Sequence, residues 1–473
     1  MKKYFFVVII SLFFNPDTWC QPSVYLPVED SLAKRPMPKW FGDAKLGIFI
    51  HWGLYSVPAY APPELNPGDV KDWEEFYRNN PYAEWYMNTM QFEESKTQQY
   101  HRKTYGKDFS YYDFIPIFNE SIKAWNADKM MSAIANSGAR YVVLTTKHHD
   151  GFLLWPSQVP YPVSSPTKHK LSAERNIVGE LCSAARKNNI RFGVYYSGGL
   201  DWSFYHVPIN NLWPNLFFSM PKSATYADYT AAHINELVQL YKPDVVWNDI
   251  QFPEKADFLG LLANYYYQVP DGIINDRWNT VYKKLYGYKT PEYQVLTEKT
   301  NYKWETCRGI GNSFGYNKTE TDLHHISADK LIDMLVDVVS KNGNLLLNIG
   351  PDASGNIPEL QLQRLQALGN WVKQYGSGIF ETTPYLQAEG KSSQKARIRY
   401  TQKGNTVFVF FLDKILGNTI ELLDFSNVKI ESIVALGNKP ESISWSLKNN
   451  APIVQWQNDW QNEYASVLKI ILK

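Results

Sequence analysis

The sequence predicts an α/β protein: a TIM-like (β/α) barrel followed by a small C-terminal antiparallel β-sandwich. The chain has 473 residues, more than a single core usually holds. Helix-like and apolar strand-like segments alternate from about residue 40 to 375, and short strand-like segments separated by turn residues follow. We therefore expect a catalytic barrel over residues 30–378 and a sandwich over residues 379–473.

The barrel region repeats an order that is typical of parallel sheets covered on both faces. Its strand-like runs are LGIFI from Leu46, ARYVVLT from Ala139, IRFGVYY from Ile190, DVVW from Asp244, GIIN from Gly272 and NLLLNI from Asn344. Their number and span favour a closed barrel over an open doubly wound sheet. No GxGxxG motif opens a helix after the first strand, and no Walker-type phosphate loop is present, so we expect no cofactor.

The charge balance, the cysteine count and the aromatic share indicate which ligands and partners the protein can have. Lys and Arg number 48 against 47 Asp and Glu, and this balance does not indicate a nucleic acid partner. Three cysteines are too few for a disulfide framework, and no CxxC motif predicts a thiolate metal site. The aromatic share of 15% fits either a large core or rings that stack on sugars. The oligomeric state is left open, and a homo-oligomer is compatible with the sequence.

The N-terminus predicts export. Lys2 and Lys3 precede an apolar run from Tyr4 to Phe14, which Asn15-Pro16-Asp17 ends. This run is short for a membrane span and typical of a signal peptide, so we assign residues 1–20 to an export signal and the protein to the periplasm or the exterior. Lipid attachment at Cys20 is an alternative, but Thr18-Trp19 matches a lipobox poorly.

Polar and aromatic side chains follow the predicted strands at their carboxyl ends, where the active sites of (β/α) barrels lie. These residues are His51, His148, His149, Tyr195, Trp247, Asp249 and Arg277. Strand ends rich in carboxylates, histidine and tryptophan suit glycoside hydrolysis, which needs two carboxyl groups and an aromatic surface.

Several of these residues also have ordinary structural interpretations. Asp249 fits a catalytic nucleophile, but an Asp after a strand often caps a helix or a turn. His51 fits either a sugar contact or a core histidine with a satisfied hydrogen bond. His148 and His149 are adjacent, and neighbouring side chains on a strand point to opposite faces. We therefore expect hydrogen bonds to sugar hydroxyls there and no metal site.

Taken together, the motifs resemble the α-L-fucosidases of glycoside hydrolase family 29. The matching segments are WFGDAKLGIFIHWGLYSVPAY from Trp40, EWY from Glu84, GARYVVLTTKHHDGF, ERNIVGEL, GVYYSGGLDW, PDVVWNDI, NDRW, TPE, WETC, SFGYN and NGNLLLNIGPDASGNIP. They cover about residues 35 to 380, and the sandwich matches in placement more than in motif. Several segments look like the group of this family that tolerates many fucosides.

This resemblance implies an exo-acting, retaining hydrolysis of terminal α-L-fucose from glycans through a fucosyl-enzyme intermediate. It implies that Asp249 is the nucleophile. Sugar-binding positions are expected at His51, Glu84, Trp85, His148, His149, Tyr195, Trp247 and Arg277. Phe314 is expected near the methyl group of fucose, since a 6-deoxy sugar needs an apolar patch beside donors and acceptors for its hydroxyls.

The general acid/base has two candidates, Glu292 in the TPE segment and Glu305 in the WETC segment. The resemblance favours Glu292. Retention requires the two carboxyl groups to lie about 5–5.5 Å apart, so the glutamate at that distance from Asp249 is the acid/base.

Three other functions stay open at this point. A barrel without activity could bind fucose as a lectin-like module, although the presence of both Asp249 and a candidate acid/base argues against it. A metal-dependent hydrolase could use His148 and His149. A retaining hydrolase could act on a related sugar such as galactose, for which it would need space and a partner for O6.

Overall fold

The computed structural model describes residues 25–211, 215–278, 281–437, 443–456, 461 and 463–473. The predicted export signal, including Cys20, lies outside these residues. The described part contains a parallel sheet typical of a TIM-like domain and separate antiparallel sheets near the C-terminus, which confirms the predicted fold class. Within the same residues, no helix is long and apolar enough to cross a membrane.

Seven parallel strands form the barrel sheet in the order β5-β4-β3-β2-β1-β7-β6. The strands are β1 (Leu46–Ile50), β2 (Tyr141–Lys147), β3 (Arg191–Ser197), β4 (Val245–Asp249), β5 (Ile273–Ile274), β6 (Trp304–Gly309) and β7 (Gly343–Ile349). All six apolar runs predicted from the sequence form strands here. The strand β6 was not predicted, because Glu305 and Arg308 interrupt its apolar character.

The gap between β5 and β6 is closed by residues 287–292, which run parallel to both strands. Gly287 donates its backbone N–H to the carbonyl of Ile274 at 3.0 Å. Isolated parallel bridges then join Tyr288 to Asn275 and Glu292 to Cys307. This closing segment takes the place of an eighth strand, and Glu292 lies at its carboxyl end.

Helices surround the sheet and connect its strands. They are α1 (Glu29–Leu32), α2 (Lys39–Ala44), α3 (Trp73–Arg78), α4 (Tyr86–Thr89), α5 (Lys96–Tyr105), α6 (Phe114–Ser121), α7 (Ala127–Asn136), α8 (Ile177–Lys187), α9 (Asn215–Phe218), α10 (Ala224–Tyr241), α11 (Phe258–Gln268), α12 (Ala328–Ser340) and α13 (Glu359–Tyr375). Asn126, Asn176 and Ser223 begin α7, α8 and α10, because each side chain accepts a hydrogen bond from a first-turn N–H.

The barrel interior is packed with aromatic and branched side chains from alternate strand positions. Phe49, Tyr141, Tyr195 and Trp247 belong to one buried cluster inside the sheet. Because side chains alternate between the two faces of a strand, the next inward position after Trp247 is Asp249. The core thus forms the floor on which the polar strand ends lie.

The C-terminal region contains two antiparallel sheets. Its strands are β8 (Thr383–Gly390), β9 (Ile398–Lys403), β10 (Thr406–Phe411), β11 (Thr419–Glu421), β12 (Ile430–Ala435), β13 (Ile443–Lys448), β14 (Ala451–Trp456) and β15 (Ser466–Leu472). The sheet orders are β12-β15-β10-β9-β8 and β11-β14-β13, with a shared apolar core. This sandwich packs on the outside of the barrel through α12 and α13, where the indole of Trp371 donates to the carbonyl of Ala465 at 2.8 Å.

Candidate active site

A cavity of about 310 Å³ opens at the carboxyl ends of the barrel strands. Eleven residues predicted from the sequence line this cavity: Asp249, Glu292, His51, Glu84, Trp85, His148, His149, Tyr195, Trp247, Arg277 and Phe314. The structure therefore brings them together from strands and loops that are far apart in the chain. Of the predicted residues, the alternative acid/base Glu305 does not belong to the described wall of the cavity.

Asp249 ends β4, and both of its carboxylate oxygens accept hydrogen bonds from barrel side chains. The guanidinium of Arg277 donates to Oδ1 at 2.9 Å, and the hydroxyl of Tyr195 donates to Oδ2 at 2.9 Å. Burial favours the neutral acid, but Arg277, His149 and Tyr195 outweigh it and hold the pKa of Asp249 below its ordinary value. Asp249 is thus an ionised carboxylate in the cavity, and these bonds give it a different environment from that of a helix cap.

Glu292 faces the same cavity from the closing segment. Its Oε2 accepts from Arg277 at 3.1 Å, and its Oε1 accepts from the hydroxyl of Tyr82 at 3.2 Å. The two terminal nitrogens of Arg277 therefore bind Asp249 and Glu292 at the same time. The side chain of Glu292 is 34% exposed, so a substrate and water can reach it.

Glu305 occupies a different place, one layer deeper in the barrel. Its carboxylate accepts from the indole N–H of Trp247 at 3.0 Å and from the hydroxyl of Tyr141, and the residue is only 1% exposed. Burial raises the pKa of Glu305 to about 7, a value that would suit an acid/base. Trp247 lines the cavity while its N–H points away to Glu305, so the indole lies between the cavity and this carboxylate.

His51 is fixed in one tautomer by Asn348. The amide nitrogen of Asn348 donates to the carbonyl of Phe314 at 2.7 Å, which leaves the amide oxygen facing Nδ1 of His51 at 2.7 Å. Nδ1 must therefore donate, and Nε2 is left as an acceptor. Burial lowers the pKa of His51 to about 3, so the ring is neutral at ordinary pH.

His149 is fixed in one tautomer by Ser197. The hydroxyl of Ser197 donates to the carbonyl of Leu200 at 2.7 Å and so accepts from Nδ1 of His149 at 2.6 Å. Burial lowers the pKa of His149 to about 4, although the nearby Asp249 opposes this shift. The active site thus presents a second neutral imidazole whose Nε2 can accept a hydrogen bond.

His148 and His149 both face the cavity, with ring centroids 4.0 Å apart. The expected alternation of neighbouring side chains does not apply here, because β2 ends at Lys147 and the chain then turns. The ring of His148 stacks on Tyr195 at 5.7 Å. Among the residues that the structure describes, no group of three or more His, Cys, Asp and Glu side chains is placed to hold a metal ion.

Glu84 and Phe314 form one wall together. The carboxylate of Glu84 accepts from the backbone N–H of Gly315 at 2.7 Å, which ties it to the loop that contains Phe314. Burial raises the pKa of Glu84 to about 7. The ring of Phe314 lies 5.5 Å from Tyr82 and 5.4 Å from Tyr293, so the three rings form an apolar patch.

Several residues of the cavity wall were not predicted from the sequence, among them Trp73, Tyr77, Asn80, Tyr82 and Tyr293. They do not follow strands, because they lie on α3, on the loop after it and beyond the closing segment. The density of aromatic residues between positions 73 and 86, just before and within the EWY motif, is the signal that could have identified this wall.

The strand ends of this (β/α) barrel place two carboxylates around one arginine, beside aromatic rings and neutral imidazoles, which is an arrangement suited to a glycoside hydrolase. The α-L-fucosidase family model matches residues 12–377. The chain therefore belongs to the α-L-fucosidase family, and it is a glycosidase that hydrolyses α-L-fucosides.

Known α-L-fucosidases are similar to this chain over nearly its whole length. A tissue α-L-fucosidase of Bos taurus is 31% identical over 92% of this chain and 87% of its own length. The α-fucosidase of Thermotoga maritima, in a crystal structure with fucose, is 38% identical with a TM-score of 0.83, covering 94% of this chain and 100% of its own. A second Thermotoga structure, with a mechanism-based inhibitor, is 39% identical with a TM-score of 0.84 over the same shares of the two chains.

Proposed function

We propose that this enzyme is an exo-acting, retaining α-L-fucosidase that removes terminal fucose from glycans by double displacement, with Asp249 as nucleophile and Glu292 as acid/base. The observation behind this proposal is the bridging of both carboxylates by Arg277. Retaining glycosidases hold their carboxyl groups about 5–5.5 Å apart, whereas inverting enzymes need about 6.5–9.5 Å to admit a water. Carboxylates that bind neighbouring nitrogens of one guanidinium favour the shorter spacing.

The first step forms a bond between Asp249 and C1 of the fucosyl unit while the bond from C1 to the leaving oxygen breaks. Glu292 gives its proton to that oxygen, and the aglycone departs as an alcohol. In the second step a water attacks C1, Glu292 takes one proton from the water, and the carboxylate of Asp249 leaves. Fucose is released with the anomeric configuration of the substrate.

Substrate binding follows from the polarity of the wall. His51 and His149 each offer an unprotonated Nε2 that can accept from a sugar hydroxyl. The ring patch centred on Phe314 suits the C6 methyl group, whereas a hydroxyl at that position would be buried against rings without a partner. Trp247 and Tyr195 close the floor of the cavity, stacked at 5.6 Å, which limits it to a terminal sugar.

The stereochemistry of the product tests this proposal. Proton NMR during the first minutes of hydrolysis of 4-nitrophenyl α-L-fucoside should show α-L-fucose first and the β anomer only later, by mutarotation. Early β-fucose would mean inversion and would exclude the double displacement. The matched substrate 4-nitrophenyl α-L-galactoside differs only by O6, and a kcat/KM as high as that of the fucoside would contradict the role of the ring patch.

Replacing Arg277 by methionine should move the acid limb of the pH profile. Activity requires the ionised nucleophile, so it is present above the pKa of Asp249 and is lost as the pH falls through it. Arg277 lowers this pKa, and its loss should raise the limb of kcat/KM by about one pH unit or more. Arg397→Met removes the same charge from the sandwich and should leave the limb unmoved. If the acid limb of kcat/KM does not shift in Arg277→Met, the limb does not report the ionisation of Asp249.

A further inference from the structure

A row of three aromatic rings on the cavity wall leads from the buried Trp85 to the rim. The ring of Trp85 lies 5.4 Å from Tyr77, and Tyr77 lies 6.1 Å from Trp73 with the two planes tilted by 31°. Trp85 and Tyr77 are 8% and 4% exposed, whereas Trp73 is 40% exposed. The row therefore passes from the buried sugar pocket to solvent, and its last ring is accessible to a ligand.

Trp73 belongs to the cavity wall and is not an isolated surface aromatic. It packs edge-on against Phe76 at 5.6 Å, which fixes its orientation. Pro67, Val70 and Leu216 add apolar side chains to the lining of the same cavity. A fixed, half-open indole on the wall of a sugar-binding cavity is a suitable surface for the apolar face of a pyranose ring.

This end of the cavity lies on the side where the leaving group must depart. The acid/base gives its proton to the leaving oxygen, so the aglycone extends past Glu292. Tyr82 donates to Glu292 at 3.2 Å, and Tyr82 follows α3 by four residues. The ring of Phe76 lies 5.8 Å from Tyr82 and 5.7 Å from Tyr77, which connects the aromatic row to the residue that binds Glu292.

Asn80 supplies a polar group at the same place. Its amide oxygen accepts from the backbone N–H of Tyr82 at 2.8 Å, which orients the side chain. The residue is fully buried on the cavity wall, and its Nδ2 has no hydrogen-bond acceptor among the described residues. Buried amide donors in proteins are nearly always paired, so a substrate oxygen would complete this one.

Building on the proposed function, we propose that Trp73, Tyr77 and Asn80 form a leaving-group subsite that selects a hexopyranoside as the aglycone. The apolar face of the aglycone sugar stacks on Trp73. One of its oxygens accepts a hydrogen bond from Nδ2 of Asn80. The subsite raises kcat/KM for fucosides whose leaving group is a sugar, relative to fucosides that lack a sugar aglycone.

The test compares two substrates that share fucose and differ in the leaving group. One is an α-1,2-linked fucosyl galactoside, and the other is α-L-fucosyl fluoride, whose leaving group is a single atom. Trp73→Ala should lower kcat/KM about tenfold for the disaccharide, because ring stacking is lost, and leave the fluoride within about twofold. Trp73→Phe should retain most of the disaccharide activity.

A control variant separates stacking from the general loss of an aromatic side chain. Tyr267 on α11 is 56% exposed and lies outside the cavity wall, so Tyr267→Ala should leave both substrates unchanged. Equal losses on the two substrates in Trp73→Ala, or no loss on the disaccharide, would overturn the subsite. If Trp73→Ala does not fold, inhibition of wild-type fluoride hydrolysis by methyl β-galactoside decides, since its absence would also overturn the subsite. Failure of the wild type on fucosyl fluoride would instead contradict the proposed function.

Discussion

Replacing Asp249 by glycine is expected to lower kcat/KM for an aryl α-L-fucoside by about 10⁴-fold or more, because the covalent route through this carboxylate is lost. Arg277 and Tyr195 bind the two oxygens of Asp249 at 2.9 Å and keep it ionised and oriented. These groups remain in Asp249→Gly, but they then have no nucleophile to position. The binding residues stay in place, so KM for the fucoside should change far less than kcat.

Azide provides a second readout for Asp249→Gly. A small anion can occupy the space of the missing carboxylate beside Arg277 and attack C1 from the same side. The product should be β-L-fucosyl azide, inverted relative to the substrate.

Covalent labelling of the wild type provides a further readout. A 2-fluoro-fucosyl fluoride should label the peptide that contains Asp249, as measured by mass spectrometry.

A control next to the same strand separates the loss of chemistry from a loss of folding. Asp244 precedes β4 at the opposite end of the barrel and pairs with Arg191 at 2.6 Å. Asp244→Asn should lower thermal stability and leave the azide product undetectable. Normal hydrolysis by Asp249→Gly, or a label on another peptide, would contradict the assignment of the nucleophile.

The strand periodicity explains why the position of Asp249 could be predicted. VVWND is a short apolar run with an inward residue at every second position, so Trp247 on the floor places Asp249 at the mouth. The predicted barrel followed from the same type of pattern in the other apolar strands. β6 and the closing segment have no such pattern, since a buried glutamate, an arginine and isolated bridges replace a continuous apolar strand.

The choice between Glu292 and Glu305 could not be made from periodicity for this reason. The position of Glu292 depends on contacts of the closing segment with Ile274 and Cys307, which a local pattern does not encode. The tautomer of His51 is a similar case. The partner that fixes this ring, Asn348, lies 297 residues away in the chain. The sequence therefore predicts that His51 belongs to the site, but it does not predict which ring nitrogen accepts a hydrogen bond from the substrate.

Replacing Glu292 by alanine should have an effect that depends on the leaving group. A glycan needs protonation of its leaving oxygen, and loss of a general acid typically costs about 10²–10⁴-fold in rate. A 2,4-dinitrophenyl fucoside departs without that proton, so formation of the fucosyl-enzyme should continue and its hydrolysis should become slow. Kinetics should then show a burst of dinitrophenol followed by a slow steady rate.

Azide distinguishes the two carboxylates by stereochemistry. In Glu292→Ala it should react with the fucosyl-enzyme on Asp249 and give α-L-fucosyl azide, the anomer opposite to that from Asp249→Gly. Glu305→Gln is the matched control, because it alters a buried carboxyl group beneath Trp247 that substrate cannot reach. Glu305→Gln should lower the stability of the protein, and any loss of activity should be the same for fucosides with good and with poor leaving groups.

The reverse result would require a different active site. If Glu305→Gln gave the burst and the α-azide while Glu292→Ala did not, Trp247 would have to move aside during turnover to expose Glu305. The indole is packed against Tyr195 at 5.6 Å and lies under the guanidinium of Arg277 at 4.7 Å. Such a movement would break the arrangement that holds Asp249. The leaving-group dependence of these two variants therefore tests both the acid/base and the rigidity of the cavity floor.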